Sequence, residues 1–435
     1  MALLKWQPRP VTALANDGVI APGERLPWPQ TTVMGVQHVV AMFGSTVLAP
    51  FLMGFDPNLA IFMSGIGTLI FYFVTGGKVP SYVGSSFAFI GVVIAATGYS
   101  GKGLNAHIDV ALGGIVICGI VYVAIGAVVQ AVGTGWIERM MPPVVTGAVV
   151  AVIGLNLART PIQNMAHSHF DSWMQLVSIL CVALVAVFTK GMIQRLLILV
   201  GVFAATIIYI VLTNGMGMGV PMDFSGIAAA SWIGLPHFHG PAFTASATAL
   251  IVPVVLILVA ENLGHIKAVS AMTGEDLDPY LGRAFMGDGI ATIVSGSAGG
   301  TGVTTYAENI GVMAATRIFS TAVFIVAALV ALLLGFSPKF GALIQAIPLP
   351  VMGGVSIVVF GLITIAGARI WVESKVDFSN PANLIIAAIT LILGTGDFTL
   401  HFGTFALGGI GTATFGAILL ALLLPGQKKK QAQPA

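Results

Sequence analysis

Charge is the property this chain most conspicuously lacks. Of its 435 residues only 8% are Asp, Glu, Lys or Arg, where soluble domains carry roughly a quarter. That shortage excludes a soluble globular protein. The net charge of +2 excludes a nucleic-acid footprint, which needs a basic patch. Cysteine is nearly absent too: Cys118 and Cys181 both lie in apolar runs, which points to neither a disulfide framework nor a metal site. The first 30 residues hold Lys5, Arg9, Pro8, Pro10, Pro22 and Pro27 but no apolar run of the signal-peptide kind. They read as a short cytoplasmic leader, with the first span serving as an uncleaved membrane signal.

What is present is apolar. Hydrophobic residues make up 57% of the chain, mean hydropathy is +0.99, and there are 54 glycines, as expected where membrane helices pack closely or break. The composition is that of a polytopic membrane protein. Apolar segments long enough to span fall near 31–53, 58–76, 83–98, 110–132, 142–158, 172–189, 193–213, 245–264, 280–297, 304–315, 317–336, 349–367, 381–396 and 404–424, fourteen in all. Those near 83 and 304 are short and rich in glycine, serine or threonine. With the N-terminus inside, fifteen basic residues fall on the inner side. Only Lys102, Arg159 and Lys339 fall outside. This positive-inside bias puts both termini in the cytoplasm, with Lys428, Lys429 and Lys430 as an inner anchor.

Two acidic residues interrupt this apolar background. Glu261 closes the run 247–260, and Glu308 follows a Gly/Ser/Thr-rich stretch. A carboxylate at membrane depth is costly and normally faces a cavity, where it serves a substrate or a proton. His265 follows Glu261 by four residues and so shares its helix face. A carboxylate beside an imidazole could pass a proton. His38, after Gln37 in span one, is deeper; it either braces the site or handles a proton directly.

Two segment pairs repeat. Residues 143–155 align with 350–362, with six of thirteen positions identical, and residues 83–92 align with 303–312. Members of each pair are seven spans apart and therefore cross in opposite senses, the mark of inverted repeats that place substrate between broken helices at the midplane. Ser85, Ser86, Thr304 and Thr305 predict extended backbone in spans three and ten, each leading into a half-helix whose free N–H groups point at the site. Phe87, Ala307 and Glu308 then form a constellation of aromatic face, backbone donor and carboxylate acceptor. A planar ring with alternating C=O and N–H groups, such as uracil, satisfies all three. An anion would call for Arg or Lys there, and spans three and ten hold none at that depth.

Other polar residues have simpler readings. His107, His167, His169, His237, His239 and His401 fall in outer loops without acidic or cysteine partners, which argues against a metal centre. Glu275, Asp276 and Asp278 read as solvated. Asp288, between Gly287 and Gly289 in span nine, reads as a site of close helix packing, and its role stays open. No enzyme's nucleophile or metal cluster is visible.

Gln37-His38, Gly84-Ser-Ser-Phe-Ala-Phe89, Ala260-Glu-Asn-Leu-Gly-His265 and Glu308-Asn-Ile-Gly-Val-Met-Ala-Ala-Thr-Arg317 together resemble the nucleobase–ascorbate transporter family, also called nucleobase:cation symporter-2, over nearly the whole chain from Gln30 to Leu424. The last segment fits the family signature: Gln, Glu or Pro, then Asn-x-Gly, four residues, and Thr-Arg. Glu308 at its first position resembles the bacterial uracil/pyrimidine branch, where purine carriers typically have Gln. The resemblance implies an all-α membrane protein of fourteen spans in two inverted repeats of seven, with short strands in broken spans 3 and 10. It implies a core domain of residues 31–132 and 245–336 and a gate domain of 142–213 and 349–424, flanked by the leader 1–30 and a cytoplasmic tail 425–435.

It further implies that Phe87, Glu261, Ala307 and Glu308 bind substrate, and that His265, His38, Glu261, Asn309 and Tyr306 couple protons or support the site. No cofactor beyond the coupling proton, a homodimer through the gate domains, and a place in the bacterial inner membrane complete the implication. Two departures stand out: Ala307 where uracil permeases commonly have Gly, and Asn262 where they often have a second His. The function expected is proton-coupled uptake of uracil or a close pyrimidine by an elevator movement of core against gate. The alternatives are purine or xanthine transport in the same family, an anion transporter or uniporter on the same fold, or a passive channel.

Overall fold

The computed structural model of the chain describes residues 4–99, 103–402 and 405–424. Lys102, the tail 425–435 and its three lysines lie outside the described residues. The molecule is mostly helical. Among the described residues eight helices are long and apolar enough to cross a membrane, or nine if the bent pair Thr321–Gly335 and Pro338–Gln345 counts as one span. Shorter apolar helices cover Phe87–Thr97, Pro381–Thr395 and Gly409–Leu423. The chain divides into two compact units.

The first unit comprises residues 1–133 and 157–359 and contains every candidate site residue. It opens with α1 (Trp28–Ala41) and α2 (Phe43–Met53), which meet at Met42 and together make one apolar stretch, followed by α3 (Pro57–Val74). Pro57 sits at the start of α3, where its missing N–H costs nothing, and the Asp56 carboxylate accepts the Asn58 N–H. Next come β1 (Val83–Ser85), α4 (Ile90–Thr97) and α5 (Ile108–Val132). The second run of site elements is α6 (Val254–Thr273), α7 (Leu281–Ala298), β2 (Val303–Thr305), α8 (Ala307–Thr316) and α9 (Thr321–Gly335).

Glycines set the helix spacing in this unit. A Cβ on Gly119 of α5 would lie 2.9 Å from the Gly289 carbonyl oxygen of α7, and one on Gly126 would lie 2.7 Å from the Met286 amide nitrogen. These are close backbone approaches that only small residues permit. Asp288 stands between Gly287, which packs against Phe71 of α3, and Gly289, which packs against α5, so the close packing expected from its neighbours is present. It has a polar role as well, described below.

The leader is folded rather than extended. Ile20 is fully buried and pairs in parallel with Ile318: its N–H donates to the Arg317 carbonyl at 3.0 Å, and its carbonyl accepts the Phe319 N–H at 2.8 Å. Ile20, Leu26, Ile318 and Val323 form a small apolar core of their own. Trp6 donates its indole N–H to Thr321 at 2.9 Å and packs edge-on against Trp28. The leader therefore clamps the junction between α8 and α9, where Arg317 takes a left-handed backbone with φ of 58°.

The second unit comprises residues 134–156 and 360–435. Its interior rests on close packing of the helix Pro143–Leu157 against the C-terminal part of Leu349–Glu373. A Cβ on Gly154 would run into the Phe360 carbonyl, and the Trp371 indole N–H donates to the Val144 carbonyl at 3.1 Å.

Candidate functional site

Two short strands organise the site. β1 and β2 pair antiparallel in the register Val83 with Thr305, Gly84 with Thr304 and Ser85 with Val303, and the Ser86 N–H adds a bond to the Gly302 carbonyl at 2.9 Å. These are the two segments that align as a repeat, and each passes directly into a helix. After β1, the Ser86 hydroxyl accepts the Ala88 N–H at 3.2 Å and caps a 3-10 turn, Phe87–Phe89, that continues into α4. After β2, α8 starts at Ala307 with Tyr306 at its N-cap, and no side chain caps it. The first-turn N–H groups of α8 are therefore left to other acceptors. The backbone cannot widen here: a Cβ on Gly84 would lie 2.7 Å from the Tyr306 hydroxyl.

Ala307 and Glu308 are exposed in the first turn of α8, whereas Asn309 is fully buried. The Ser45 hydroxyl of α2 donates a hydrogen bond to Oε1 of Glu308. Glu261, part-buried on α6, lies close enough to interact electrostatically with Glu308. His265, one turn on from Glu261, shares Nδ1 with the Thr305 hydroxyl at 2.9 Å. Phe87, at the start of the opposite half-helix, is part-buried. Both acids and both half-helix starts thus belong to one assembly of α2, α6, α8 and the strand pair.

The remaining predicted residues brace that assembly. His38, fully buried on α1, shares Nδ1 with Asn309 Oδ1 at 2.9 Å and packs on the Phe324 ring at 4.8 Å. Asn309 donates from Nδ2 to the Tyr82 carbonyl at 3.4 Å, tying α8 to the approach to β1. The Tyr306 hydroxyl is buried and donates to the Ser85 carbonyl at 2.9 Å.

Three participants have no role in the sequence reading. Ser45 is one. The second is Asp288, fully buried on α7: its Oδ2 accepts from Asn262 Nδ2 at 2.7 Å, from the Thr305 N–H at 3.2 Å and from the Thr304 hydroxyl at 3.5 Å. The third is Asn262, which also donates to the Tyr122 hydroxyl at 3.1 Å, while that hydroxyl donates to the Leu258 carbonyl at 3.1 Å. Successive residues on a helix point about 100° apart. Glu261 therefore lies on the side of Glu308 while Asn262 faces Tyr122 of α5 and Asp288 of α7. Among the described residues no group of three or more His, Cys, Asp or Glu is placed to hold a metal ion.

Comparison with known proteins shows the family. Residues 29–403 match the Permease family. The chain is 64% identical over 419 residues, 96% of this chain and 94% of the other, to RutG of Escherichia coli strain K12, a protein provisionally named a pyrimidine permease. It is 42% identical over 420 residues to the uracil permease of Paenibacillus larvae, covering 94% of this chain and 97% of that one. Among solved structures, SLC26A9 superposes with a TM-score of 0.67 at 12% identity, over 91% of this chain and 65% of that one. The transmembrane domain of the cyanobacterial bicarbonate transporter BicA superposes with a TM-score of 0.61 at 15% identity, over 90% and 96%. At those identities the likeness is one of fold. The match over residues 29–403 and the full-length relatives identify the chain as a multi-pass membrane transporter, not an enzyme: it belongs to the nucleobase:cation symporter-2 permease family.

Proposed function

We propose that this protein is a proton-coupled symporter that imports uracil, or a closely related pyrimidine nucleobase, across the cytoplasmic membrane. The observation that carries the reading is the pairing of an exposed carboxylate, Glu308, with the uncapped first turn of α8 around it. Acceptor and donors stand side by side, and the edge of a uracil ring presents N–H between carbonyl groups in the complementary order. Glu308 and Glu261 accept ring N–H groups, backbone N–H groups at Ala307 and Phe87 donate to ring carbonyls, and the Phe87 ring covers a face of the base. A site of this kind rejects bases that leave a buried polar group unpaired. Two relatives named uracil permeases, at 42% and 38% identity, support the pyrimidine assignment.

The coupling proton is the sole cofactor in this reading. Glu261 and His265, on one face of α6, are its carriers, and His38, Asn309 and Tyr306 hold the half-helices in register. Transport runs through fourteen spans, with core residues 31–132 and 245–336 moving as an elevator against gate residues 142–213 and 349–424. The gate domains pair in a homodimer. The distribution of basic residues supports cytoplasmic termini in the inner membrane.

Uracil binding to the purified protein tests the site. Wild type binds in a calorimetric titration, and Glu308→Ala gives no measurable heat. Wild-type affinity in that variant overturns the assignment.

A further inference from the structure

Many of the buried hydroxyls on the helices of this protein bond back along their own helix, whereas Ser45 reaches a side chain on another element. Ser64 donates to the Ala60 carbonyl, Thr68 to Ser64, Thr75 to Phe71, Ser178 to Met174 and Ser356 to Met352, each one turn back along its own helix. This is the ordinary way for Ser and Thr to satisfy a hydroxyl in an apolar helix. Ser45 is as well buried as these, at 2% exposure, and one turn before it stands Ala41 of α1. Its hydroxyl instead donates across the fold to Oε1 of Glu308, 263 residues away.

We infer that Ser45 is a positioning residue for Glu308, fixing one carboxylate oxygen so that the other faces the substrate; this rests on Glu308 being the substrate-binding acid. A glutamate exposed at a helix start has freely turning side-chain torsions. A donor fixed at Oε1 removes most of that freedom before substrate arrives, which is how a supporting residue raises affinity without touching the ligand. Among the described residues no second side-chain hydrogen bond is recorded for Glu308, so Oε2 is the oxygen left for a ring N–H. A carboxylate with one oxygen occupied takes one N–H well and a two-donor edge poorly. Ser45 therefore favours ring edges that carry a single N–H between acceptors. The hydroxyl can also rotate from donor to acceptor, so the contact persists if Glu308 takes up a proton.

The test combines binding with spectroscopy on the full-length protein in detergent. Ser45→Ala is close in size and removes only the hydroxyl. It raises the uracil Kd about tenfold, the loss of roughly one charge-assisted hydrogen bond's worth of alignment, whereas Ser45→Thr, which restores a hydroxyl, stays nearer to wild type than Ser45→Ala does. Infrared difference spectra against Glu308→Gln, taken without substrate, show the Glu308 carboxylate stretch shifted in Ser45→Ala. An unshifted band, or an unchanged Kd in Ser45→Ala, overturns the inference. If wild type binds no uracil, it is the pyrimidine reading of the site that fails, and the infrared band alone decides the Ser45 contact.

Discussion

The carboxylate of Asp288 accepts the backbone N–H of Thr305 at 3.2 Å, so a buried acid on α7 holds the last residue of the strand that delivers Glu308 to the site. The same oxygen takes the Asn262 amide at 2.7 Å. One acid thereby joins α6, α7 and β2. Asp288→Ala removes the acceptor shared by three buried donors, the Thr305 N–H, the Thr304 hydroxyl and the Asn262 amide, and a buried donor left unsatisfied costs about 1–3 kcal/mol. The expected outcome is a lower melting temperature in detergent and loss of uptake. Asp288→Asn keeps one acceptor oxygen and is the milder variant. A melting temperature unchanged in Asp288→Ala would show that the acid braces nothing.

Asn309 and His38 make the matching tie on the other side of α8, at 2.9 Å. Asn309→Leu leaves a buried imidazole nitrogen without its partner and removes the bond to the Tyr82 carbonyl. The cost is about 1–3 kcal/mol, visible as a lowered melting temperature. His38→Ala in that background should add less than it does alone, since the two share one interaction. Strictly additive effects would contradict the pairing.

Gly84 allows the strand pair to close on Tyr306. In Gly84→Ala the new methyl meets the Tyr306 hydroxyl at 2.7 Å, and that hydroxyl is itself held by the Ser85 carbonyl. Overpacking of this kind costs about 1–3 kcal/mol. Substrate affinity should fall with stability, because both half-helices start from these strands. A variant that binds uracil as wild type does would mean that the strand spacing does not govern the site.

Much of this arrangement was legible in the chain. Glu261 and His265 are four residues apart on an apolar helix, and that spacing alone puts them on one face. The repeat between 83–92 and 303–312 is visible because both segments solve the same problem, extended backbone running into a helix, with the same small and hydroxylated residues. Other features gave no local signal. Ser45 is one small residue in an apolar run, and its partner is 263 positions away. Asp288 lies between glycines that pack against α3 and α5, and nothing in that stretch announces the amide and backbone donors converging on it. Asn262 reads as a missing histidine beside Glu261, whereas the helix turn directs it to Asp288 and Tyr122. The leader reads only as a short cytoplasmic segment without an apolar run; its hold on the fold comes from Ile20, which packs with Ile318.

That hold is measurable. Ile20 is fully buried against Leu26, Ile318 and Val323. Ile20→Ala should cost about 2–5 kcal/mol, with the loss read as a lowered melting temperature and increased proteolysis within residues 4–26. Stability equal to wild type would show that the leader is not part of the folded unit.

The central claim is coupled transport of a pyrimidine, and the most direct test is radiolabelled uracil uptake into proteoliposomes with and without an inward proton gradient. The account predicts accumulation above equilibrium that requires the gradient, collapses with a protonophore, and is lost in Glu261→Ala and Glu308→Ala. Uptake that only equilibrates, indifferent to the gradient, would contradict the coupling; no uracil uptake alongside transport of a purine would contradict the substrate.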